Sequence, residues 1–184
     1  MRILYIHADF MEYEVKKPTS MAEDIGEDMK SGHLEEVLVA FIAVEEQDEN
    51  KVEQVAEEAT SDIRETADKV GAARILLYPY AHLSSELSDP ETGKKTLRRM
   101  EEILLDSGAQ VKRAPFGWYK AFRISCKGHP LSELSREIVG EEKAPPPAGE
   151  EKYLILTQDG QEIAPEEFDG GSDCFRVMME KEAL

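Results

Sequence analysis

Short apolar runs and helical stripes follow one another along the first half of the chain. The apolar runs 2–6, 36–44 and 74–78 predict β-strands, and the run 36–44 is long enough for a central strand. Apolar residues recur at helical spacing between about 51 and 70, which predicts an amphipathic helix that ends at Gly71. The polar stretch from Asp9 through Gly26 is predicted to carry one short helix.

The pattern continues with a second helix and two further strands. Asp89 and Pro90 suit the N-cap and the first position of a helix, and Gly108 ends its apolar stripe. Strands are predicted near 110–113 and 120–126, followed by a helix from about 130 to 138. Because helices and strands intermix without strict alternation, we expect an α/β fold in which a layered mixed β-sheet has flanking helices.

Composition divides the chain into three parts. Residues 1–140 are predicted to form one domain, and 141–150, with Pro145-Pro-Pro147 and several acids, reads as a linker. In 151–184, Asp159-Gly160 predicts a β-hairpin, and the last residues predict a helix. That helix stops without a cap, so we expect the chain to be cut from a longer protein.

The chain is strongly acidic except in one window. It has 184 residues, 39 Asp or Glu and 22 Lys or Arg, which gives a net charge of −17. Between Thr92 and Pro130 there are nine Lys or Arg and three Asp or Glu. A polyanion such as RNA is expected to dock at this window if it docks at all. The acidity favours solubility and is also typical of proteins from a salty cytoplasm.

Cysteine usage and hydropathy indicate a cytoplasmic protein. Cys126 and Cys174 are far apart and match no paired metal spacing, so inert thiols are the expected state. No apolar run approaches the length that spans a bilayer, and the first residues read as a strand. We therefore expect no membrane association.

The residues alone offer few catalytic groups. His82 follows a strand end in Tyr78-Pro-Tyr-Ala-His-Leu-Ser-Ser85, a place where sites are common, although such a histidine is more often structural. No histidine pair has a zinc spacing, and no nucleophile elbow or phosphate-binding glycine loop occurs. Lys120 enters a half-buried strand, so it either meets an anion or acceptors there or is an exposed edge-strand lysine.

Two long motifs resemble a known family. They are Tyr78-Pro-Tyr-Ala-His-Leu-Ser-Ser-Glu-Leu87 and Ala114-Pro-Phe-Gly-Trp-Tyr-Lys-Ala-Phe122, and the second is followed by Ser125-Cys-Lys-Gly-His-Pro-Leu-Ser-Glu-Leu-Ser135. Together with Ile3-Leu-Tyr-Ile-His7, they resemble the N-terminal editing domain of archaeal threonyl-tRNA synthetases over about residues 1–140. The tail is similar to the connector toward that enzyme's class II catalytic core.

The resemblance implies a fold, an activity and a set of residues. The fold would be like that of D-aminoacyl-tRNA deacylases and would form a homodimer. The activity would be hydrolysis of L-serine from mischarged threonine tRNA. No cofactor or metal is expected in this domain, because ATP and zinc would belong to the absent synthetase core. The resemblance implies catalytic positions at His82 and Lys120, and substrate-binding positions at Tyr119, Glu133, Ala81, Pro79, Val44 and Phe116.

The implied chemistry needs neither a catalytic triad nor a metal site, and the sequence has the pattern of neither. Serine lacks one methyl group of threonine, and a methyl group gives only about 1–3 kcal/mol of discrimination, so a second, hydrolytic site is needed. An aminoacyl ester is already activated, so it needs little general-base catalysis. The resemblance implies hydrolysis by a positioned water with assistance from the adjacent 2′-hydroxyl of the tRNA, while Lys120 and His82 orient the substrate and backbone amides stabilise the oxyanion. Two alternatives stay open, namely a D-aminoacyl-tRNA deacylase and a non-catalytic module that binds tRNA or dimerises the synthetase.

Overall fold

The structure of the protein is a computed structural model. The structure describes residues 1–140 and the backbone of two short strands at 155–156 and 162–163. The chain divides into two compact units, Met1–Glu142 and Lys143–Leu184. The predicted linker 141–150 and the predicted final helix lie outside the described residues.

One mixed sheet forms the centre of the first unit. Its spatial order is β4-β3-β2-β1-β5, with β6 also paired to β1. Strand β1 is antiparallel to β2, β5 and β6, whereas β2, β3 and β4 run parallel to one another. The predicted α/β layered mixed sheet is therefore confirmed. The six strands are β1 (Arg2–Pro18), β2 (Ser31–Ala43), β3 (Arg74–Pro79), β4 (Val111–Arg113), β5 (Trp118–Cys126) and β6 (Glu133–Glu137).

Two helices begin and end where the sequence predicts. Helix α1 (Val52–Val70) ends at Gly71, whose φ of 73° is a left-handed conformation that glycine adopts at little cost. Helix α2 (Pro90–Asp106) begins after Asp89, whose carboxylate accepts hydrogen bonds from the amides of Glu91 and Thr92. This contact satisfies N–H groups that have no acceptor within the helix.

The two faces of the sheet carry separate apolar clusters. The helices cover one face, where Tyr5, Leu77 and Met100 are almost fully buried. On the other face, the ring of Phe122 on β5 lies 5.8 Å from that of Phe41 on β2 and 5.7 Å from that of Tyr78 on β3. Since β1 separates β5 from β2 and β3, the sheet must curl so that its edge strand covers this second cluster.

Strand β1 is much longer than the predicted strand, which stopped near Asp9. From Phe10 onward, buried Met11 and Tyr13 alternate with more exposed Glu12 and Glu14. A strand with one solvated face shows this period of two. Because every second residue is polar, the segment has no continuous apolar run that would predict a strand. The short helix predicted between Asp9 and Gly26 is wrong, because β1 continues to Pro18 and the residues after it form an irregular turn. A single 3-10 turn, Glu27–Met29, follows this stretch.

The predicted helix over 130–138 is wrong, because the segment forms a turn and strand β6. Leu131, Leu134 and Ile138 have helical spacing, but Leu131 is exposed, so no buried helical stripe exists. Instead Leu134 pairs with Tyr5 of β1 in an antiparallel register. The backbone hydrogen bonds offered by the open edge of β1 override a short and ambiguous helical pattern.

In the second unit, β7 (Ile155–Leu156) pairs antiparallel with β8 (Glu162–Ile163). This pairing confirms the predicted antiparallel strand pair, whereas its predicted turn, Asp159-Gly160, lies outside the described residues. Among the described residues, neither helix has the length and apolar character needed to cross a membrane.

Candidate functional site

A cavity of about 420 Å³ opens beside the end of β3 and the start of β5. Such a volume suits a small organic ligand. The residues around it come from the ends of β2 and β3, the 3-10 turn Ala81–Leu83, helix α2 and the loop 114–118. Seven of the eight residues implied by the resemblance line this cavity: Val44, Pro79, Ala81, His82, Phe116, Tyr119 and Lys120.

Lys120 is the one Lys, Arg, Asp or Glu among the residues described around the cavity. Its ammonium donates hydrogen bonds to the carbonyl oxygens of Pro115, at 2.8 Å, and Trp118, at 3.1 Å. Its Nζ also lies 4.9 Å from the centre of the Tyr78 ring, in cation–π geometry. An ammonium has three N–H donors, and the third has no acceptor within residues 1–140.

Burial changes the acidity of this ammonium. Removal from water disfavours the charge and lowers the pKa of Lys120 from 10.5 to about 8, although the nearby charge of Glu23 partly opposes the shift. Lys120 therefore meets neutral dipoles and an aromatic face rather than a carboxylate. Of the two interpretations left open by its sequence position, the structure supports the lysine that is held by acceptors.

His82 lies in the 3-10 turn Ala81–Leu83 and is exposed. Its ring packs edge-on against Tyr80, with the centroids 5.3 Å apart. The imidazole lines both this cavity and a neighbouring polar groove. His82 is therefore placed at the boundary between two depressions in the surface.

Glu133 does not lie at this cavity within one chain. On β1, Glu133 pairs opposite Ile6, whereas Lys120 pairs opposite Val15, nine positions away. At about 3.3 Å per strand residue, this separation is roughly 30 Å. The Glu133 side chain is exposed and lies 3.7 Å from the sulfur of Cys126. A role for Glu133 in the substrate pocket stays a prediction from the resemblance.

A buried carboxylate that the sequence did not single out holds the cavity loop in place. Glu23 pairs with the buried guanidinium of Arg113 and accepts a hydrogen bond from Arg98 at 3.0 Å. It also accepts from the amide of Phe116, at 2.7 Å, and its carbonyl accepts from the indole of Trp118, at 2.9 Å. Burial disfavours its charge, but these hydrogen bonds outweigh burial and lower the pKa of Glu23.

The same loop needs a glycine where two backbones meet. Gly117 has φ of 74°, and a Cβ there would lie 2.6 Å from the carbonyl oxygen of Met21 and 2.7 Å from the Cα of Ala22. The amide and hydroxyl of Thr19 both donate to the Gly117 carbonyl. The segment 19–23 therefore lies directly on loop 114–118, and its residues Thr19 and Met21 form part of the cavity wall.

Most cations in the positive window are already paired. Six of the nine Lys or Arg between Thr92 and Pro130 form ion pairs with carboxylates. Lys112 and Lys120 instead donate to backbone carbonyls. The window is thus far less available to RNA phosphates than its sequence charge suggests, and RNA docking there stays a prediction.

The remaining histidines lie away from the cavity. His7 Nδ1 is 2.8 Å from His129 Nε2, and His33 lies near Glu12 and Glu35. Within residues 1–140, no three His, Cys, Asp or Glu side chains converge in a way that could hold a metal ion.

Replacing Glu23 is expected to destabilise the domain. Glu23→Gln leaves the buried Arg113 without one charged partner, so we expect the free energy of unfolding to fall by about 3 kcal/mol. Because folding lowers the pKa of Glu23, its contribution is complete above the ordinary value of 4.5 and is lost as the pH falls. Urea unfolding from pH 7 to well below pH 4.5 should show the stabilities of wild type and variant converging only below pH 4.5.

The control is Glu12→Gln, which removes a carboxylate paired with the exposed Arg123. A surface pair of this kind is worth less than about 1 kcal/mol. Equal losses of stability in the two variants would contradict the anchoring role of Glu23.

Lys120 is expected to make stability depend on pH at the alkaline end. The folded protein binds this proton less tightly than the unfolded chain, because the pKa falls from 10.5 to about 8. Relative to Lys120→Met, stability should therefore rise between pH 8 and pH 10.5, by about 3 kcal/mol at 1.4 kcal/mol per pKa unit. If the free energies of unfolding of the two proteins, measured in urea, change with pH in parallel, burial does not lower the pKa of Lys120 and the prediction is wrong.

Comparisons with known proteins agree on one family. The family model described as the archaea-specific editing domain of threonyl-tRNA synthetase matches residues 1–138. The chain is 52% identical over 176 residues to the threonine–tRNA ligase of Methanothrix thermoacetophila, an alignment covering 92% of this chain and 28% of that protein. For the threonine–tRNA ligase of Methanocaldococcus jannaschii the identity is 50% over 163 residues, covering 89% and 26%.

The threonine–tRNA ligase of Methanosarcina mazei is 57% identical over 138 residues, which cover 75% of this chain and 22% of that protein. The chain thus spans less than a third of the length of these curated relatives. The family model, in contrast, covers most of the chain and all of the residues that line the cavity. The chain therefore belongs to the archaea-specific editing-domain family of threonyl-tRNA synthetase.

Proposed function

We propose that this domain hydrolyses the ester of L-serine wrongly attached to threonine tRNA. The observation that carries the proposal is the cavity itself, a largely apolar space in which one ammonium, that of Lys120, retains an unused N–H donor. A seryl group fits such a space, because its hydroxyl can accept that N–H while the small side chain fills little volume. Membership of the editing-domain family supports this reaction class.

The reaction requires water and the ester only. Water oxygen adds to the ester carbonyl carbon, the bond from that carbon to the tRNA 3′ oxygen breaks, and the leaving oxygen takes a proton that the attacking water gives up. Serine and a free tRNA 3′ hydroxyl result. Because the ester is already activated, holding water, ester and oxyanion donors in line supplies much of the rate. No metal or cofactor takes part in the proposed step.

Three cavity residues have roles that fit their positions. Lys120, as the ammonium, donates to the seryl hydroxyl and fixes its orientation. His82, at the mouth, contacts the terminal ribose or positions the water. Ala81 and His82 begin a 3-10 turn, and the first N–H groups of such a turn have no acceptor within it, so we assign oxyanion stabilisation to these amides.

The depth of the cavity depends on a close contact between helix α2 and loop 114–118. A Cβ on Gly93 of α2 would lie 2.9 Å from Cε2 of Phe116, so only glycine lets this ring pack directly against the helix. Phe116 forms part of the cavity wall on one side and contacts the packed core on the other. A displaced ring would therefore move into the empty cavity, because a close-packed core resists compression.

The wider setting of the reaction follows from the relatives. Since they are threonine–tRNA ligases, we propose that the domain acts in the cytoplasm, as part of such a synthetase, on the serine-bearing 3′ end of threonine tRNA. The homodimer implied by the resemblance belongs to the same proposal. A D-aminoacyl-tRNA deacylase and a non-catalytic tRNA-binding module are the two competing functions.

Hydrolysis of charged tRNA tests the proposal directly. The chain should release serine from Ser-tRNA(Thr) much faster than threonine from Thr-tRNA(Thr), because a serine-editing site must orient the ester so that the extra methyl group of threonine has no productive position. Preferential hydrolysis of a D-aminoacyl-tRNA would favour the first alternative. Binding of tRNA without hydrolysis would favour the second, and equal rates for serine and threonine would refute serine editing.

Lys120→Ala should lower the rate at which serine is released from the tRNA by about a hundredfold, since one oriented hydrogen bond in a dry site has effects of this order. Replacing any one serine residue of the domain should have a smaller effect. Lys112→Ala is the matched control. Lys112 also donates to two carbonyls, of Asp28 and Ser31, and its Nζ lies 5.8 Å from the Tyr13 ring centre, but it is not among the cavity residues. A fully active Lys120→Ala protein would remove Lys120 from the mechanism.

Gly93→Ala should shrink the cavity by pushing Phe116 inward. We expect kcat/KM for serine release to fall by about tenfold, which corresponds to about 1.4 kcal/mol. Adding Phe116→Leu, which removes the ring atoms that the new Cβ would meet, should restore the rate and raise hydrolysis of Thr-tRNA(Thr). If the double variant is no faster than Gly93→Ala, the contact does not set the size of the cavity.

A further inference from the structure

A second depression lies next to the cavity and differs from it in chemistry. It is a groove of about 470 Å³ that contains Arg2, Ser84, Ser85 and Glu86. Ala81 and His82 line both the groove and the cavity, so these two residues form the boundary between them. The cavity is largely apolar, whereas the groove is lined by hydroxyl and charged side chains.

Arg2 is held in this groove by one end of its guanidinium. Its Nε donates to Oε1 of Glu45 at 2.9 Å, and the Glu45 side chain is almost fully buried. The hydroxyl of Ser84 donates to the same carboxylate oxygen, which links the wall of the groove to this anchor. The two terminal nitrogens of Arg2 have no partner among the described residues, and about half of the side chain is exposed.

Arg2 differs in this respect from the paired arginines of the positive window. Arg98, Arg113 and Arg123 each donate through at least one terminal nitrogen to a carboxylate. Two free terminal nitrogens on an oriented guanidinium match two oxygens of a phosphate. Arg2 therefore offers an unused, pre-oriented donor pair within a groove that adjoins the cavity.

We propose that this groove binds the 5′-phosphate of the terminal nucleotide of the charged RNA. The inference rests on the proposed function, since it places the aminoacyl ester in the cavity. In an aminoacylated nucleotide one ribose separates the 3′ ester from the 5′-phosphate. In the protein, the residue pair Ala81–His82 separates the cavity from the groove, so a ribose at His82 puts the ester on one side and the phosphate on the other.

The acid that lines the groove gives the proposal a second, opposite test. Glu86 is exposed there, and its charge opposes a phosphate. Arg2→Gln should weaken binding of a phosphate-bearing ligand, whereas Glu86→Gln should strengthen it. Neither change should affect a ligand that has the same nucleoside but no phosphate.

The experiment compares two small substrates that differ only in the phosphate. These are 2′(3′)-O-seryl-adenosine and 2′(3′)-O-seryl-adenosine 5′-monophosphate. With Arg2→Gln, kcat/KM for the monophosphate should fall by about tenfold, as expected for loss of a charge-assisted contact, and that for the nucleoside should not change. Glu86→Gln should raise kcat/KM for the monophosphate by about twofold to threefold.

Arg123→Gln is the matched control, because it removes the same charge from an exposed position on β5 outside the groove. It should leave both substrates unaffected. An equal effect of Arg2→Gln on the two substrates would mean that Arg2 is merely structural, and no effect on either would mean that the phosphate does not reach it. Both results overturn the proposal.

Binding separates this proposal from the proposed function. If the wild-type protein hydrolyses neither ester, serine editing fails, and the groove is then judged by titrating adenosine 5′-monophosphate and adenosine into the protein. Tighter binding of the monophosphate that Arg2→Gln abolishes would support the groove as a phosphate site. Equal binding of the two ligands by the wild type would overturn it.

Discussion

The buried ion pair between Glu23 and Arg113 determines the shape of the candidate site. It joins the segment after β1 to the end of β4, and Glu23 also binds the backbone of Phe116. Loop 114–118, fixed in this way, presents the two carbonyls that hold Lys120. A buried pair seldom adds much net stability compared with apolar residues, but removing one partner is costly, so such a pair is well suited to enforce one loop conformation.

The elements that the sequence predicts correctly are those with strong local signals. Helix α2 has Asp89 as a cap and Pro90 at its first turn, and α1 has a long apolar stripe that ends at Gly71. The second half of β1 and strand β6 have many polar residues and lack such local signals. These segments are strands because their backbones pair with strands that are distant in the sequence. Their structure depends on an edge that only the folded sheet provides.

In the candidate site too, some residues can be predicted from the sequence and others cannot. Long motifs identify Lys120, His82 and their neighbours, and the fold brings these residues around one cavity. Glu23 lies in a polar segment without periodicity, and nothing in its sequence neighbours shows that it will be buried beside Arg113. The charge of the window Thr92–Pro130 is equally misleading, because distant acids such as Asp9 and Glu12 neutralise its cations once the chain folds.

The amine of Lys120 lies beside the place proposed for an activated ester, and an unprotonated primary amine attacks such esters to form a stable amide. Self-acylation of the enzyme would then compete with hydrolysis. The carbonyls of Pro115 and Trp118 favour the ammonium, which has no lone pair for attack. A pKa near 8 leaves most molecules protected at neutral pH, whereas deeper burial would make the cavity inactivate itself. The need to keep Lys120 protonated thus limits how far the site can be dehydrated, and the two carbonyls extend that limit because they stabilise the ammonium.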